Sequence, residues 1–246
     1  MEDFMVETLA RMVYGSNMVD RAGQDWDITL TKCKAIFRAR KPNTTSMEEL
    51  EGRIFHTPRV MSTNELPGPD VVKAGREAVL HAMAAKHTIT ELYLHSKILS
   101  EDIILACGID ASQGVPSAEY SGVYQCDIHT LIPYAMKNMI TSLEQDIAAA
   151  RAVQRMDPIE LAAKYCHIFV NIHPFLDANG RMGRLILNAL LLKYAGRVIC
   201  LGDDDDNRDL YTRIAHSACC READERDGFE GVDDNCGQST TAGWQA

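Results

Sequence analysis

The chain has 246 residues, 46% of them apolar, and carries a formal net charge of −10 at pH 7. That length and apolar fraction suffice for one buried core, whereas a nucleic-acid or membrane-surface binder would need a basic face that the acidic balance argues against. No apolar run is long enough to span a bilayer, and the N-terminus Met-Glu-Asp-Phe-Met is acidic where a secretory signal would be basic, so a cytoplasmic, intracellular protein is expected.

Helical periodicity runs almost throughout. Residues 4–14 and 28–38 carry apolar side chains at helical spacing, with Asp27 placed to cap the second segment. From 41 to 70 the pattern weakens into polar residues, Pro and Gly, with a short helical stretch near 46–53. Helices are expected over 71–86 and 88–95, and Ser100 followed by Glu101 and Asp102 opens a further apolar run that Gly108 ends. Residues 110–122 read as a loop rich in small residues, 123–131 as a strand, and 133–156 as a helix. Asp157-Pro158, a cap followed by Pro at the first helical position, launches the helix that ends at Ile172. The next helix closes at Gly196, a C-cap glycine. After the acidic run 203–206, read as a solvated cap, one more helix reaches about residue 222, and the tail has too little apolar content to order. The eight cysteines are scattered without metal-site spacing and read as buried free thiols. His167, six residues from His173, is spaced for packing or hydrogen bonding and not for a metal pair.

The densest chemistry lies at 173–184, His-Pro-Phe-Leu-Asp-Ala-Asn-Gly-Arg-Met-Gly-Arg, directly before the apolar run of the next helix. A helix start exposes unpaired N–H groups and the positive end of the macrodipole, which favours an anion by about 0.3–1 kcal/mol, more when sheltered. Asn179 and Gly180 suit a turn where backbone approaches a ligand closely, and Arg181 and Arg184, three apart, place two forked cations on one face. Asp177 offers an oxygen ligand for Mg²⁺, and His173 a group able to take a proton from an attacking hydroxyl. The grouping is that of phosphate chemistry.

This stretch resembles the signature of the Fic/Doc (Fido) family, His-x-Phe-x-(Asp/Glu)-(Gly/Ala)-Asn-Gly-Arg-x-x-Arg, with every defining position filled. The resemblance implies a mainly α Fic-fold helical bundle with a short β-hairpin flap, and transfer of AMP from Mg·ATP to a Ser, Thr or Tyr hydroxyl of a protein. It implies His173 as base, Asp177 as the Mg²⁺ ligand, Asn179, Gly180 and Arg181 as the phosphate cradle, and Arg184 on the γ-phosphate. Phe175 would anchor the loop in the core, and Ala178, where many members have Gly, reads as neutral.

Two further segments resemble the family. Ser16-Asn17-Met18-Val19-Asp20-Arg21 is similar to the inhibitory pattern (Ser/Thr)-x-x-x-Glu-(Gly/Asn), with Asp20 and Arg21 as departures, and Asp20, one methylene shorter than Glu, shortens the reach toward the motif's last Arg by about 1.5 Å. Ser121-Gly122-Val123-Tyr124-Gln125 resembles the start of the target-clamping flap, followed by a shorter stretch than the family usually has. The expected organisation is an N-terminal helical segment (1–26) carrying Ser16 and Asp20, a Fic-type core (27–222), and a disordered tail (223–246). The partners implied are ATP and a hydroxyl-bearing protein, the chain itself included, with homo-oligomers open. A catalytically weak nucleotide-binding regulator, or a related reaction such as de-AMPylation or transfer of UMP or phosphocholine, is the alternative.

Overall fold

The structure, a computed structural model, describes residues 3–39, 69–107, 131–175 and 177–227. Its elements in order are α1 (Asp3–Val19), α2 (Trp26–Arg38), α3 (Pro69–Ile89), a π turn (Thr90–Leu94), α4 (Glu101–Leu105), α5 (Ile132–Ala152), α6 (Pro158–Ile172), α7 (Asn179–Ala195) and α8 (Asp205–Asp227). The fold is mainly α, and the described residues contain no strand. The expected short helix at 46–53, the strand at 123–131 and the flap residues Gly122, Val123 and Tyr124 lie outside the described residues.

The caps explain where most helices begin. Asp157 accepts from Ile159 N (2.9 Å) and Glu160 N (3.1 Å), and Ser100 accepts from Ile103 N (3.4 Å). At α2 the cap is Asp25 and not Asp27, since Asp25 has extended ψ and accepts from Ile28 N at 3.0 Å. The helix starts early enough to seat Trp26 edge-on against Tyr14, 5.6 Å between centroids, with Arg11 over its ring. The two helices expected over 71–95 are instead one α-helix running into the π turn, because no Gly or Pro lies at the junction between residues 86 and 88; Lys193 ties that turn by donating to Leu92 O (2.9 Å) and to Lys97 O. α5 stops at Ala152, four residues before the expected end, where Gln154 turns to φ 51°. α8 continues to Asp227, into the stretch expected to be disordered.

α7 is the central helix. Met182, Leu185, Ile186, Ala189 and Leu190 are all buried, and α6, α3 and α1 pack around it. Gly183 sets the closest approach: a Cβ there would stand 2.6 Å from Val170 Cγ2 on α6.

α1 is part of the same core. Val6, Leu9, Ala10, Met12 and Val13 are buried in one cluster with the apolar face of α7. At about 1.5–3 kcal/mol for burying a large apolar side chain, peeling α1 away would forfeit on the order of 10 kcal/mol, comparable to the whole stability of a domain. The C-terminal end of α1 is seated by a glycine pair: a Cβ on Gly15 would lie 2.5 Å from Leu201 O, and one on Gly202, at φ 82°, 2.5 Å from Gly15 O. Gly15→Ala should therefore destabilise the fold by about 1–3 kcal/mol despite the better helix propensity of Ala, and Gly202→Ala by a similar amount. Urea unfolding of both variants and of the double variant checks this; the double should cost less than the sum, because both press on one contact.

Candidate active site

α6 ends where His173 turns left-handed (φ 53°, ψ 54°) and its N–H returns to Phe169 O at 3.1 Å. Pro174 cannot continue the helix. Ala178 is also left-handed (φ 65°, ψ 16°), a conformation that costs an Ala on the order of 1 kcal/mol and a Gly nothing, so this position is conformationally strained and not neutral. What holds the loop against that strain is Asn179. Its Oδ1 accepts from Phe175 N (2.9 Å), its Nδ2 donates to Phe175 O (2.6 Å), and the Phe175 ring packs on Phe169 at 6.0 Å. Asn179→Ala should thus lose about 1–3 kcal/mol of stability, measurable by urea unfolding, with the loop as the first region to gain hydrogen exchange.

With the Asn179 side chain turned back, no side chain caps α7. The N–H groups of its first turn, Asn179, Gly180 and Arg181, have no intrahelical acceptor and lie at the positive end of a long helix, a place suited to an anion. Asp177 flanks them, largely exposed, with Oδ2 3.3 Å from the Arg181 guanidinium. His173 lies beside it. Its Nδ1 is 3.3 Å from Val170 O, which assigns the proton to Nδ1 and the basic lone pair to Nε2. Burial moves the imidazole pKa below its ordinary value, against the opposing pull of Val170 O and Asp177, so the ring is neutral at pH 7.

Arg184 is buried and fully engaged. Its Nε donates to Ser16 Oγ, and its Nη2 donates to Ser16 O and to Asp20 Oδ2, each at 2.8 Å. Tyr211 on α8 stands over the guanidinium, 5.7 Å from ring centroid to Cζ. Burial disfavours the charge, but Asp20 and Tyr211 more than offset it and hold the pKa above the ordinary Arg value. Asp20 reaches Arg184 although it is one methylene shorter than Glu, because it stands just past the end of α1. It does not satisfy Arg181: Oδ2 is 3.6 Å from Arg181 Nε, which is buried with no hydrogen-bond partner among the described residues. Gly180 lies under this ion pair, since a Cβ there would meet Arg184 Nη1 at 3.0 Å and Asp20 Oδ1 at 3.4 Å.

His173, Asp177, Asn179, Gly180, Arg181 and Arg184 therefore share one loop and helix start, and Ser16 and Asp20 come to them from α1. Sequence reasoning missed Tyr211 and His81, a buried histidine on α3 whose pKa is pushed down to about 3 by burial and then by Arg181 and Arg184. Neither lies in a local pattern; their approach to Arg184 is purely tertiary. His167 bonds Asn171 Nδ2 at 3.1 Å, as its spacing suggested. The described cysteines are all free. No described helix is long and apolar enough to cross a membrane.

Residues 92–191 match the family model described as Fic/DOC family. A Fido domain-containing protein of Dictyostelium discoideum is 36% identical over 87 residues, which is 35% of this chain and 59% of that protein. A probable protein adenylyltransferase of Aquifex aeolicus is 34% identical over 61 residues, 25% of this chain and 18% of that protein. The chain thus spans less than two thirds of either relative. The crystal structure of a Fic domain containing signaling protein from Bacteroides thetaiotaomicron superposes with a TM-score of 0.60 at 18% identity, covering 86% of this chain and 72% of that one, and it establishes the fold.

Proposed function

We propose that this chain, a Fic/DOC family protein through its residues 92–191, is a protein adenylyltransferase that moves AMP from ATP to a Ser, Thr or Tyr hydroxyl and is held in a restrained state by Ser16 and Asp20. The observation that carries the reading is the convergence, within one loop, of a neutral imidazole and an exposed carboxylate with an uncapped helix start flanked by two guanidiniums. The Aquifex relative's name points to the same reaction.

His173 Nε2 takes the proton of the target hydroxyl as its oxygen attacks the α-phosphorus. The bond from that phosphorus to the bridging oxygen breaks, and pyrophosphate departs. The first-turn N–H groups of Asn179, Gly180 and Arg181 hold the α- and β-phosphates, and Arg181 Nε, buried without an acceptor among the described residues, has a donor to add. Arg184 would take the γ-phosphate once it releases Asp20.

Asp177 fits a hard divalent cation: it is an exposed oxygen donor beside the phosphate cradle. No three His, Cys, Asp or Glu side chains gather as a metal site among the described residues. Mg²⁺ held there would keep water and phosphate oxygens as its other ligands, as this ion commonly does. The chemistry it supplies when bound is charge neutralisation on the phosphates.

One observation favours a second reading, a nucleotide-binding regulator of low activity: Arg184 is tied to Ser16, Asp20 and Tyr211, so the γ-phosphate must compete for it. Incubation with α-labelled and with γ-labelled ATP separates the two. Incorporation of the α label alone supports AMP transfer, the γ label alone points to phosphate transfer, and tight binding without either supports the regulator.

A further inference from the structure

We propose that Asn17 and His81 are positioning residues that hold Asp20 against Arg184, so that the restraint is set by a buried amide–imidazole pair joining α1 to α3. The proposal rests on the restraint described above and deepens it.

Asp20 is not on α1 but in the turn that follows it, and that turn hangs on Asn17. The carbonyl of Asn17 accepts from Asp20 N (3.1 Å) and from Ala22 N (2.9 Å). Farther along, Gly23 at φ 82° presses on the Asn17 side chain: a Cβ there would stand 3.0 Å from Asn17 Cβ and from Nδ2. The position of the Asp20 carboxylate is therefore a consequence of where Asn17 stands.

His81 is what fixes the Asn17 amide. Its Nδ1 is 2.9 Å from Asn17 Oδ1, and both side chains are buried. Asn17 Nδ2 has no partner among the described residues, so the bond to His81 is the amide's one side-chain hydrogen bond there. With Asn17 Oδ1 as the acceptor, Nδ1 is the protonated nitrogen of a neutral ring. Burial and the nearby Arg181 and Arg184 keep that ring neutral, so it supplies a donor without adding charge beside two guanidiniums. Removing His81 would leave a buried amide with neither end satisfied, and the group able to relieve this is the turn resting on it.

The way α1 is anchored makes this the part free to yield. The apolar face of α1 is core, and Gly15 seats its last turn on residues 201–203. Release of Arg184 from Asp20 thus falls to the turn after Val19, not to displacement of the helix, which keeps Ser16 in place beside the guanidinium.

The test compares His81→Ala, His81→Asn and Gly23→Ala, each alone and combined with Asp20→Ala, by incorporation of α-labelled ATP into the chain and by calorimetric ATP binding. Asn retains an N–H donor where the imidazole Nδ1 stands, and Gly23→Ala strains the turn from its other side. His81→Ala and Gly23→Ala should each raise self-modification and ATP affinity by roughly 3- to 10-fold, His81→Asn should keep the restraint, and neither alanine variant should add to Asp20→Ala. The proposal is overturned if Asp20→Ala activates while both alanine variants stay at the unmodified level, or if they change the rate equally with and without Asp20. An idle Asp20→Ala would overturn the restraint itself, and this proposal with it.

Discussion

Replacing His173 by Ala should lower the proposed AMP transfer by about 10²–10⁴-fold, while ATP affinity should stay within a few-fold of the unmodified chain. The magnitude is that of a lost general base. Binding should survive because the proposed phosphate contacts come from the α7 first turn, Arg181 and Arg184, while the Nδ1 of His173 is turned to Val170 O. The left-handed backbone at His173 makes Asn the informative second variant: Asn tolerates φ near 53° and lacks the base, so its loss of activity cannot be ascribed to a misfolded loop. The pH profile follows from the same environment. Transfer requires the neutral ring, whose pKa burial has lowered, so kcat/KM rises with pH to a plateau whose onset lies below the ordinary imidazole value near 6.5, and is flat through neutrality. A plateau reached only above pH 7 would contradict a buried, neutral base. Single-turnover kinetics and calorimetry on the two variants measure both effects.

Asp20→Ala should raise ATP affinity and self-modification by roughly 10–100-fold and make the unliganded protein less stable. The first effect is the release of a charged hydrogen bond to Arg184, worth about 1.5–3 kcal/mol, and each 1.4 kcal/mol is about tenfold in binding. The second has the opposite sign for the same reason: Arg184 is buried, and without its carboxylate the guanidinium charge is left with the uncharged partners Ser16 and Tyr211. Asp20 is itself about one-third exposed, so the destabilisation is held to about 1–3 kcal/mol by solvent screening. ATP should restore that stability by filling the place of the carboxylate. Asp20→Glu should stay at or below the unmodified rate, since one more methylene can satisfy Arg181 Nε as well as Arg184. Thermal unfolding with and without Mg·ATP, alongside label incorporation, checks each sign.

The candidate site was legible where it is local. His173, Asp177, Asn179, Gly180, Arg181 and Arg184 are close in the chain, and the chemistry of a helix start joins them without knowledge of the fold. The same locality made Asp157, Ser100 and Gly196 readable as caps. Reading failed where two local signals competed or where none existed. Asp25 and Asp27 are both good caps, and the choice between them depends on Trp26 meeting Tyr14, a contact between two helices. α3 runs on through Lys86 and His87 because its neighbours support it, Lys86 donating to Ile36 O and Ala39 O. The inhibitory resemblance gave Ser16 and Asp20, yet the shortened reach of Asp could not be judged from spacing, since it depends on Asp20 standing in a turn beyond the helix. Tyr211 and His81 approach Arg184 from elements far along the chain, and an isolated aromatic or histidine carries no mark of that in its own neighbourhood.

The most direct measurement is the intact mass of the chain after incubation with Mg·ATP, for Asp20→Ala and for Asp20→Ala combined with His173→Ala. A restrained adenylyltransferase predicts that the single variant gains whole adenylyl groups, more than the unmodified chain does, and that the double variant gains none while still binding ATP. A gain of phosphoryl in place of adenylyl, an unchanged mass in the single variant, or an equal adenylyl gain without His173 would contradict it.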